Sequence, residues 1–568
     1  MQQHADQSTD RVLSEPEPPP TEKEQKAPQS RKDARFWATI LVINIAYFLP
    51  LLETSCISTA LPTIINSLHG SDFVWAGSVY NIAASAFMPT TGGLAQVFGR
   101  KPTLLFSLLL FSLGCILCGA AQNQETLIAG RGFWETFLAI QGAGGAGLFS
   151  VSTIVLSDIV PLQERGTYNG ILQVTWCVAA GIGPAVGGAL AQAGQWRWLF
   201  FLNLPIAGVT GVVILLFMKM KSPEGDFLKK MARMDWIGIF LVTASTCSVA
   251  IALTWGGAVF PWSSARVLVP LILGAIGFLG FLAYEGLVAK MPLIPFKILS
   301  NRTSLSGYIQ TFLLQIPFPA LVFYLPIYFQ ACKGFSPLKS GTSLLPLAFS
   351  TAPASIVAGI TVSKTGRYRP QLYIGWALAV PALVLIGLAG VHTPVGNIIG
   401  YEFLAGIGFG LVFSATYFPV LAPLPLTTIA PALAFFAFLR QFGQIWAITI
   451  GGSILQNELS HKLPAAVSSR FAGDSALAFG IIPELAGLNL GPDVLAQVQE
   501  GFAAGLHVVW RVMAGVCGFA LLSCLLMKGL PLHTSTDKNW GVQEKEKKKE
   551  TTLDAEVASP SPRSQSAS

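Results

Sequence analysis

Charge is what this sequence has least of. Asp, Glu, Lys and Arg make up 11% of its 568 residues, where a soluble domain carries about a quarter. A chain of this length cannot cover a water-facing surface with so few charges, which excludes an ordinary soluble protein. A phosphate-binding GxxxxGK[ST] loop is also missing, so ATP-driven work within this chain has no support. No nucleophile–base pair and no metal-ligand spacing stands outside the apolar runs, so an enzyme, a bound metal and a cofactor are all unexpected. Cysteine is sparse, eight in all. Cys115 and Cys118 have CxxC spacing but sit inside an apolar run without a second Cys or His pair, so a buried apolar role outweighs zinc or redox chemistry. Net charge is +7, small for the length, and no nucleic-acid partner is expected.

What the chain has in abundance is hydrophobic residues, 52% of the total. They fall in successive runs of about 20, each long enough to cross the hydrocarbon core of a bilayer. The reading is an all-α polytopic membrane protein. Residues 1–35 are polar, with Pro18-Pro19-Pro20 and then Arg31, Lys32 and Arg35. They read as a disordered cytosolic tail and not as a cleavable signal peptide. Spans are expected near 36–60, 74–95, 102–121, 126–160, 166–192 and 198–218, then 235–257 and 267–288, then 304–329, 341–362, 371–391, 396–420, 428–455 and 503–527. Basic residues mark cytoplasmic loops. Arg100 and Lys101 follow the second span, Lys219 to Arg233 the sixth, Lys297 and Arg302 the eighth, and Lys545 with Lys547 to Lys549 the last. Both termini are therefore expected in the cytosol.

An internal repeat organises these spans. Gly92 and Gly99-Arg100 recur in spacing as Gly359 and Gly366-Arg367. Matching hairpins after the second and tenth spans imply two six-helix halves, 36–218 and 303–530, with a cytosolic linker and two extra helices between them at 219–302. Parallel halves of this kind enclose a central cavity in transporters. Residues 456–501, punctuated by Pro464, Pro483 and Pro492, are expected to form a small outer cap, and 531–568 a second disordered cytosolic tail.

The stretch GIGPAVGGALAQAG, Gly181 to Gly194, sets a proline among glycines. Pro184 offers no backbone N–H and is expected to break the helix. Gly183 and Gly187, four apart, share a face where another backbone can approach. Gly183-Pro184-x-x-Gly187-Gly188 resembles the antiporter signature of the major facilitator superfamily, with Ala179 in place of its first glycine. Trp196-Arg197-Trp198 and Asn203-Leu204-Pro205 resemble its fourteen-helix drug:proton antiporter branch. Gly92-Gly93-Leu94-Ala95-Gln96-Val97-Phe98-Gly99-Arg100-Lys101 is similar to the superfamily's cytoplasmic hairpin motif, whose usual aspartate is replaced here by Gln96. Tyr324 to Gln330, with Gly341 and Leu344-Leu345-Pro346, looks like the fungal multidrug and toxin efflux transporters. The resemblance implies the major facilitator fold: two six-helix halves plus two extra central helices, fourteen in all. It also implies a lock between the hairpin aspartate and an arginine, which Gln96 would weaken.

Ionisable groups at membrane depth are costly and point to function. Glu53 stands where the family has an aspartate before threonine, in a stretch that closes with Ala60-Leu61-Pro62. A carboxyl in a low-dielectric cavity is suited to take up and release a proton; the alternative is an interfacial carboxylate facing outer water. Arg131 opens the fourth span. In the family an arginine is followed three residues later by Gln-Gly, whereas Gln141 and Gly142 here follow seven extra residues, Trp134 to Ile140. Seven residues shift the phase by only ~20° but the height by ~10 Å. Arg131 is then displaced outward, or the insertion is a sequence irregularity. Arg440 lies inside the thirteenth span, where it either bonds a neighbouring helix or couples substrate to protons. Glu402, near the outer end of the twelfth span, completes the candidates. Asn81, Gln310, Gln315 and Tyr324 either line a cavity or hold helices together.

The expected function is proton-coupled efflux, by antiport, of amphipathic small molecules such as drugs, mycotoxins or other secondary metabolites. The expected carrier is a monomer in the plasma membrane, with substrate, protons and the lipid bilayer as its partners. A vacuolar basic amino-acid transporter or a siderophore transporter of the same fold is the alternative. A transport-inactive sensor or scaffold is the alternative from another class, motivated by Gln96 and Arg131.

Overall fold

Lipid offers no partner to a backbone N–H or C=O, so a chain that crosses it must satisfy these groups within each segment. A computed structural model describes residues 33–67, 73–121, 136–218, 220, 226–232, 234–257, 260–289, 292–294, 298–425, 428–464 and 491–532. These fold as nineteen α-helices, with no strand beyond one isolated bridge between Gly256 and Phe260. The N-terminal set is α1 (Ala34–Ser67), α2 (Phe73–Phe98), α3 (Arg100–Gly119), α4 (Thr136–Ile159), α5 (Leu162–Gln192), α6 (Trp198–Phe201) and α7 (Asn203–Phe217). A short α8 (Phe227–Met231) leads into the extra pair, α9 (Trp236–Trp255) and α10 (Ala265–Leu287). The C-terminal set is α11 (Arg302–Leu314), α12 (Pro317–Lys333), α13 (Pro337–Thr342), α14 (Leu345–Thr365), α15 (Arg369–Gly387), α16 (Val395–Ala415), α17 (Tyr417–Leu421), α18 (Ile429–Lys462) and α19 (Pro492–Ser523).

Thirteen stretches among the described residues are long and apolar enough to cross a membrane. The helix missing from that set is α2, which is 26 residues long but carries Asn81, Thr90, Thr91 and Gln96. Prolines stand inside α2, α10, α12, α14 and α15 (Pro89, Pro270, Pro326, Pro353 and Pro381). Neighbouring helices in a membrane bundle can satisfy the carbonyls they free.

Several boundaries differ from expectation. The ninth span divides between α11 and α12, because Pro317 opens a new helix and has no N–H to continue the old one. α18 runs on to Lys462, where an ion pair with Glu458 supports its last turn (2.7 Å). α19 begins at Pro492, so the expected outer cap at 456–501 is largely helix at both ends; residues 465–490 lie outside the described residues. Most of the two expected tails, 1–32 and 533–568, lies outside them too.

Within the first half, α1 packs on α4, α5 and α7, and α3 on α4. In the second, α16 packs on α14 and α15, and α19 on α15 and α18. The halves meet chiefly through α5 with α14 and α2 with α18. These two crossings are equivalent under the internal repeat. Gly92 of α2 lies against Ala434 of α18, and its counterpart Gly359 of α14 lies against the backbone of Gly166 of α5. The hairpin glycines match as well: Gly99 (φ 95°) and Gly366 (φ 66°) both turn the chain where a side chain would strain it.

α9 covers the α2–α18 seam from outside. Thr243 on α9 donates to Ala86 O (3.3 Å), and Thr449 on α18 donates to Leu253 O of α9 (3.1 Å). α10 turns Leu268, Val269, Ile272, Leu273, Ile276 and Leu279 outward, an apolar face suited to lipid.

Candidate functional site

Glu53 is 1% exposed and points into the first half, not toward the second. Asn203 Nδ2 of α7 donates to its Oε2 (3.3 Å), Cys115 Sγ of α3 approaches the same oxygen (3.7 Å), and Gln141 Nε2 of α4 donates to Oε1. Gln141 Nε2 also reaches Cys115 Sγ (3.2 Å), and Cys118 Sγ donates to Gln141 Oε1 (3.6 Å). The CxxC pair is thus buried, as expected, but serves a polar cluster. Among the described residues no cation pairs with Glu53. Neutral donors hold a carboxylate less strongly than a guanidinium does, so a charge here is only partly compensated. The structure brings together Glu53 and Gln141, candidates named separately from two different motifs. Arg131, expected to tune the acid, lies outside the described residues. Sequence reasoning missed Cys115 and Asn203 as partners, although both stand in stretches it singled out.

In the hairpin, Arg100 is 2% exposed and donates from Nε to Asp158 Oδ2 at 2.7 Å and from Nη1 to Ala95 O at 3.1 Å. The carboxylate that pairs with Arg100 therefore comes from the end of α4, not from position 96. Arg165 continues the arrangement by donating to the carbonyls of Val160 (2.6 Å) and Ser157, where α4 ends with its dipole negative. Lys101 donates to Leu215 O near the end of α7 (2.9 Å).

The antiporter stretch corrects the expected break at Pro184. α5 stays helical through Pro184. Gly183 packs on Ser55 and Cys56 of α1, its own half, and Gly187 is buried on the same face, whereas Gly188 meets no neighbour within 4 Å. The cross-half contact of α5 is made by Gly166 and Gly170, the latter packed so closely that a Cβ there would stand 3.0 Å from Ile356. Gly166 and Gly183 lie about 100° apart around the helix, so one helix presents two small-residue faces to two neighbours.

A cavity lies between the halves. Tyr47, Asn169 and Gln173 line it from one side, and Ser355, Phe413 and Arg440 from the other. Its water-accessible interior is ≈ 20 Å³, room for about one water. Arg440 makes no hydrogen bond or ion pair among the described residues. Its guanidinium instead faces the rings of Phe413 (5.0 Å), Phe436 (5.7 Å) and Phe149 (6.0 Å). Beside it, Gln441 Nε2 donates across the seam to Asn81 Oδ1 (3.0 Å). Glu402 is fully buried on α16, and neither of its oxygens has a hydrogen-bond partner among the described residues. Glu53, Glu402 and Arg440 thus occupy three separate places. Gln310 accepts from Trp376 Nε1 (3.2 Å) and Tyr324 donates to Ile448 O (2.6 Å), so both hold helices together.

Comparison with known proteins agrees with this architecture. Residues 43–448 match the family model of the Major Facilitator Superfamily. The chain is 38% identical to the MFS-type efflux pump LUC4 of Fusarium sp over 95% of each chain. It is 36% identical to the efflux pump FUS6 of Gibberella fujikuroi over 94% of each. It is also 36% identical to the Acurin A biosynthesis cluster MFS-type transporter of Aspergillus aculeatus, over 92% of this chain and 94% of that one. Among solved structures, it resembles a bacterial homolog of the human lysosomal transporter Spinster in an inward-facing, unoccupied conformation, with TM-score 0.54 at 14% identity, covering 88% of this chain and 98% of that one. The human organic anion transporter MFSD10 aligns with TM-score 0.53 at 15% identity, over 87% and 100%. With two halves joined at repeat-related glycines around a shared cavity, and relatives matched over nearly its whole length, the chain belongs to the Major Facilitator Superfamily.

Proposed function

We propose that this protein exports amphipathic small molecules, such as secondary metabolites, mycotoxins or drugs, from the cell in exchange for protons. The carrier works as a monomer in the plasma membrane by alternating access, with α2 as its fourteenth span and both termini in the cytosol. The observation that carries this reading is the cavity lined by both halves, in a chain similar end to end to fungal efflux pumps. Polar and aromatic side chains mix in its lining, which suits a ligand with one polar end and an apolar body. Glu53 and Glu402 are the proton carriers of this reading, since each is a buried carboxyl that pairs with no cation among the described residues. A basic amino acid would meet Arg440 in a lining that contains no carboxylate, which weighs against that alternative. The test is growth of cells expressing or lacking this protein across a panel of metabolites and drugs, repeated with a protonophore. Resistance to some compounds that vanishes with the protonophore is expected. Identical growth on every compound would leave a sensor or scaffold.

A further inference from the structure

We propose that Arg440, with Asn169 across the cavity, recognises a carboxylate on an amphipathic substrate, a reading that rests on the export function above. A guanidinium carries five N–H donors, and Arg440 spends none of them on the described chain. Its three ring neighbours attract the cation through their faces but offer it no conventional hydrogen-bond acceptor. Asn169 Nδ2, on α5, is a second donor in the same cavity, buried and without a partner among the described residues. An unmet buried donor is costly, and Asn169 Nδ2 beside the partly exposed guanidinium of Arg440 in one cavity points to an acceptor that the described chain does not supply.

The acids nearby are otherwise placed. Asp158 is taken by Arg100 at 2.7 Å. Glu53 is held inside the first half by Gln141 and Asn203. Glu402 precedes the cavity residue Phe413 by eleven positions on α16, ~16 Å along the axis. The free partner is therefore an external anion. A planar carboxylate matches the guanidinium fork with two parallel hydrogen bonds. Aromatic walls set the rest of the ligand: Tyr47 stacks on Phe149 (4.6 Å), and Phe413 meets Phe318 edge-on (4.9 Å). A flat or conjugated apolar body fits such walls. Because Asn169 and Arg440 come from opposite halves, an anion that accepts from both favours the closed state. A cationic ligand would face an uncompensated like charge and be rejected.

The experiment titrates the full-length protein with 1-pyrenebutyrate, its neutral primary amide and 1-pyrenebutylammonium, three probes with one aromatic body. Binding is read by energy transfer from tryptophan to pyrene. The acid is expected to bind about tenfold or more tightly than the amide or the ammonium. R440Q should erase that margin while moving the amide by no more than about twofold, R440K should keep part of it, and N169L should weaken the acid while leaving the ammonium, which has no acceptor, unmoved. The comparison of probes on the unaltered protein needs no variant, so it decides the matter even if R440Q does not fold. Equal binding of the three, binding of none, or a margin that survives R440Q in folded protein would overturn the proposal. Acid binding with this pattern but no export in vesicles would sink the export reading and leave the site. Export of neutral compounds unaffected by R440Q, with no acid preference, would do the reverse.

Discussion

At the scale of single residues, Glu53 and Arg100 show what a motif can and cannot carry. The motif places an acid at Glu53 and a glutamine at Gln141, and the two side chains do meet. Their companions Cys115 and Asn203 come from α3 and α7, 62 and 150 positions from Glu53, and a linear pattern holds no information about such pairings. Asp158 was likewise invisible, since nothing in its own neighbourhood marks it as the partner of Arg100. Substituting Asp158→Asn leaves a buried guanidinium without its counter-ion, which costs about 3–5 kcal/mol in comparable pairs. The purified variant should melt at a clearly lower temperature than the parent; an unchanged melting curve would remove the pair from the account of stability. For Glu53, the expectation follows from linkage: proton and substrate exchange only if each shifts one equilibrium between two states. In proteoliposomes with an imposed pH gradient, Glu53→Gln should lose gradient-driven accumulation yet bind substrate within a few-fold of the parent. Glu53→Asp should remain active. Full accumulation by Glu53→Gln would pass the role to Glu402.

At the scale of helices, the sequence was most legible where composition alone decides, and least where one helix must choose between two neighbours. Apolar runs and basic loops placed nearly every span, because length and lipid compatibility are local properties. They did not show which glycines of α5 face which partner. Gly183 and Gly187 stand in a recognisable signature yet pack α5 on α1, while Gly166, in no quoted motif, touches Gly359 across the halves. The internal repeat held the missing clue, since Gly92 and Gly359 occupy equivalent positions and both make the cross-half contact. A side chain at either glycine must push a helix away. Gly359→Leu should therefore be inserted and stable but unable to close the end of the bundle near the hairpins. Thiol labelling of a cysteine placed at Ser355, in the cavity lining, should rise several-fold in that variant, because closure is what shields the lining. Gly188→Leu, at a position with open space, is the matched control and should label like the parent. Equal labelling of the two variants would mean that the glycine contact does not seal the cavity.

At the scale of the whole molecule, the central fact is how little room the closed cavity leaves. Ligand sites for drug-sized molecules occupy about 300–1,000 Å³, against a water-accessible interior of ≈ 20 Å³ between these halves. No substrate of the proposed class enters this arrangement, so transport requires the halves to move apart as bodies. The contacts that close them run along α5 with α14 and α2 with α18, and include Gly166 with Gly359, Gly170 with Ile356, Gly92 with Ala434, and the hydrogen bond from Gln441 to Asn81. Each half keeps most of its core to itself, and the cluster shared between them, Tyr80, Ala84, Met88 and Ala146 with Ala437 and Phe438, must part when they move. Alternating access then has a definite signature in distances. Glu164 and Lys364 lie near the hairpin end of α5 and α14, whereas Gln192 and Lys339 lie toward the opposite end of the same pair of spans. Spin labels at 164 with 364, and separately at 192 with 339, report the two ends. As pH and ligand are varied, the first distance should lengthen when the second shortens, since a rocking carrier opens one end only while the other is closed. Labels that move together would describe a pore, and labels that never move would describe a scaffold. Either outcome removes proton-coupled antiport, whatever the side chains around Glu53 and Arg440 do.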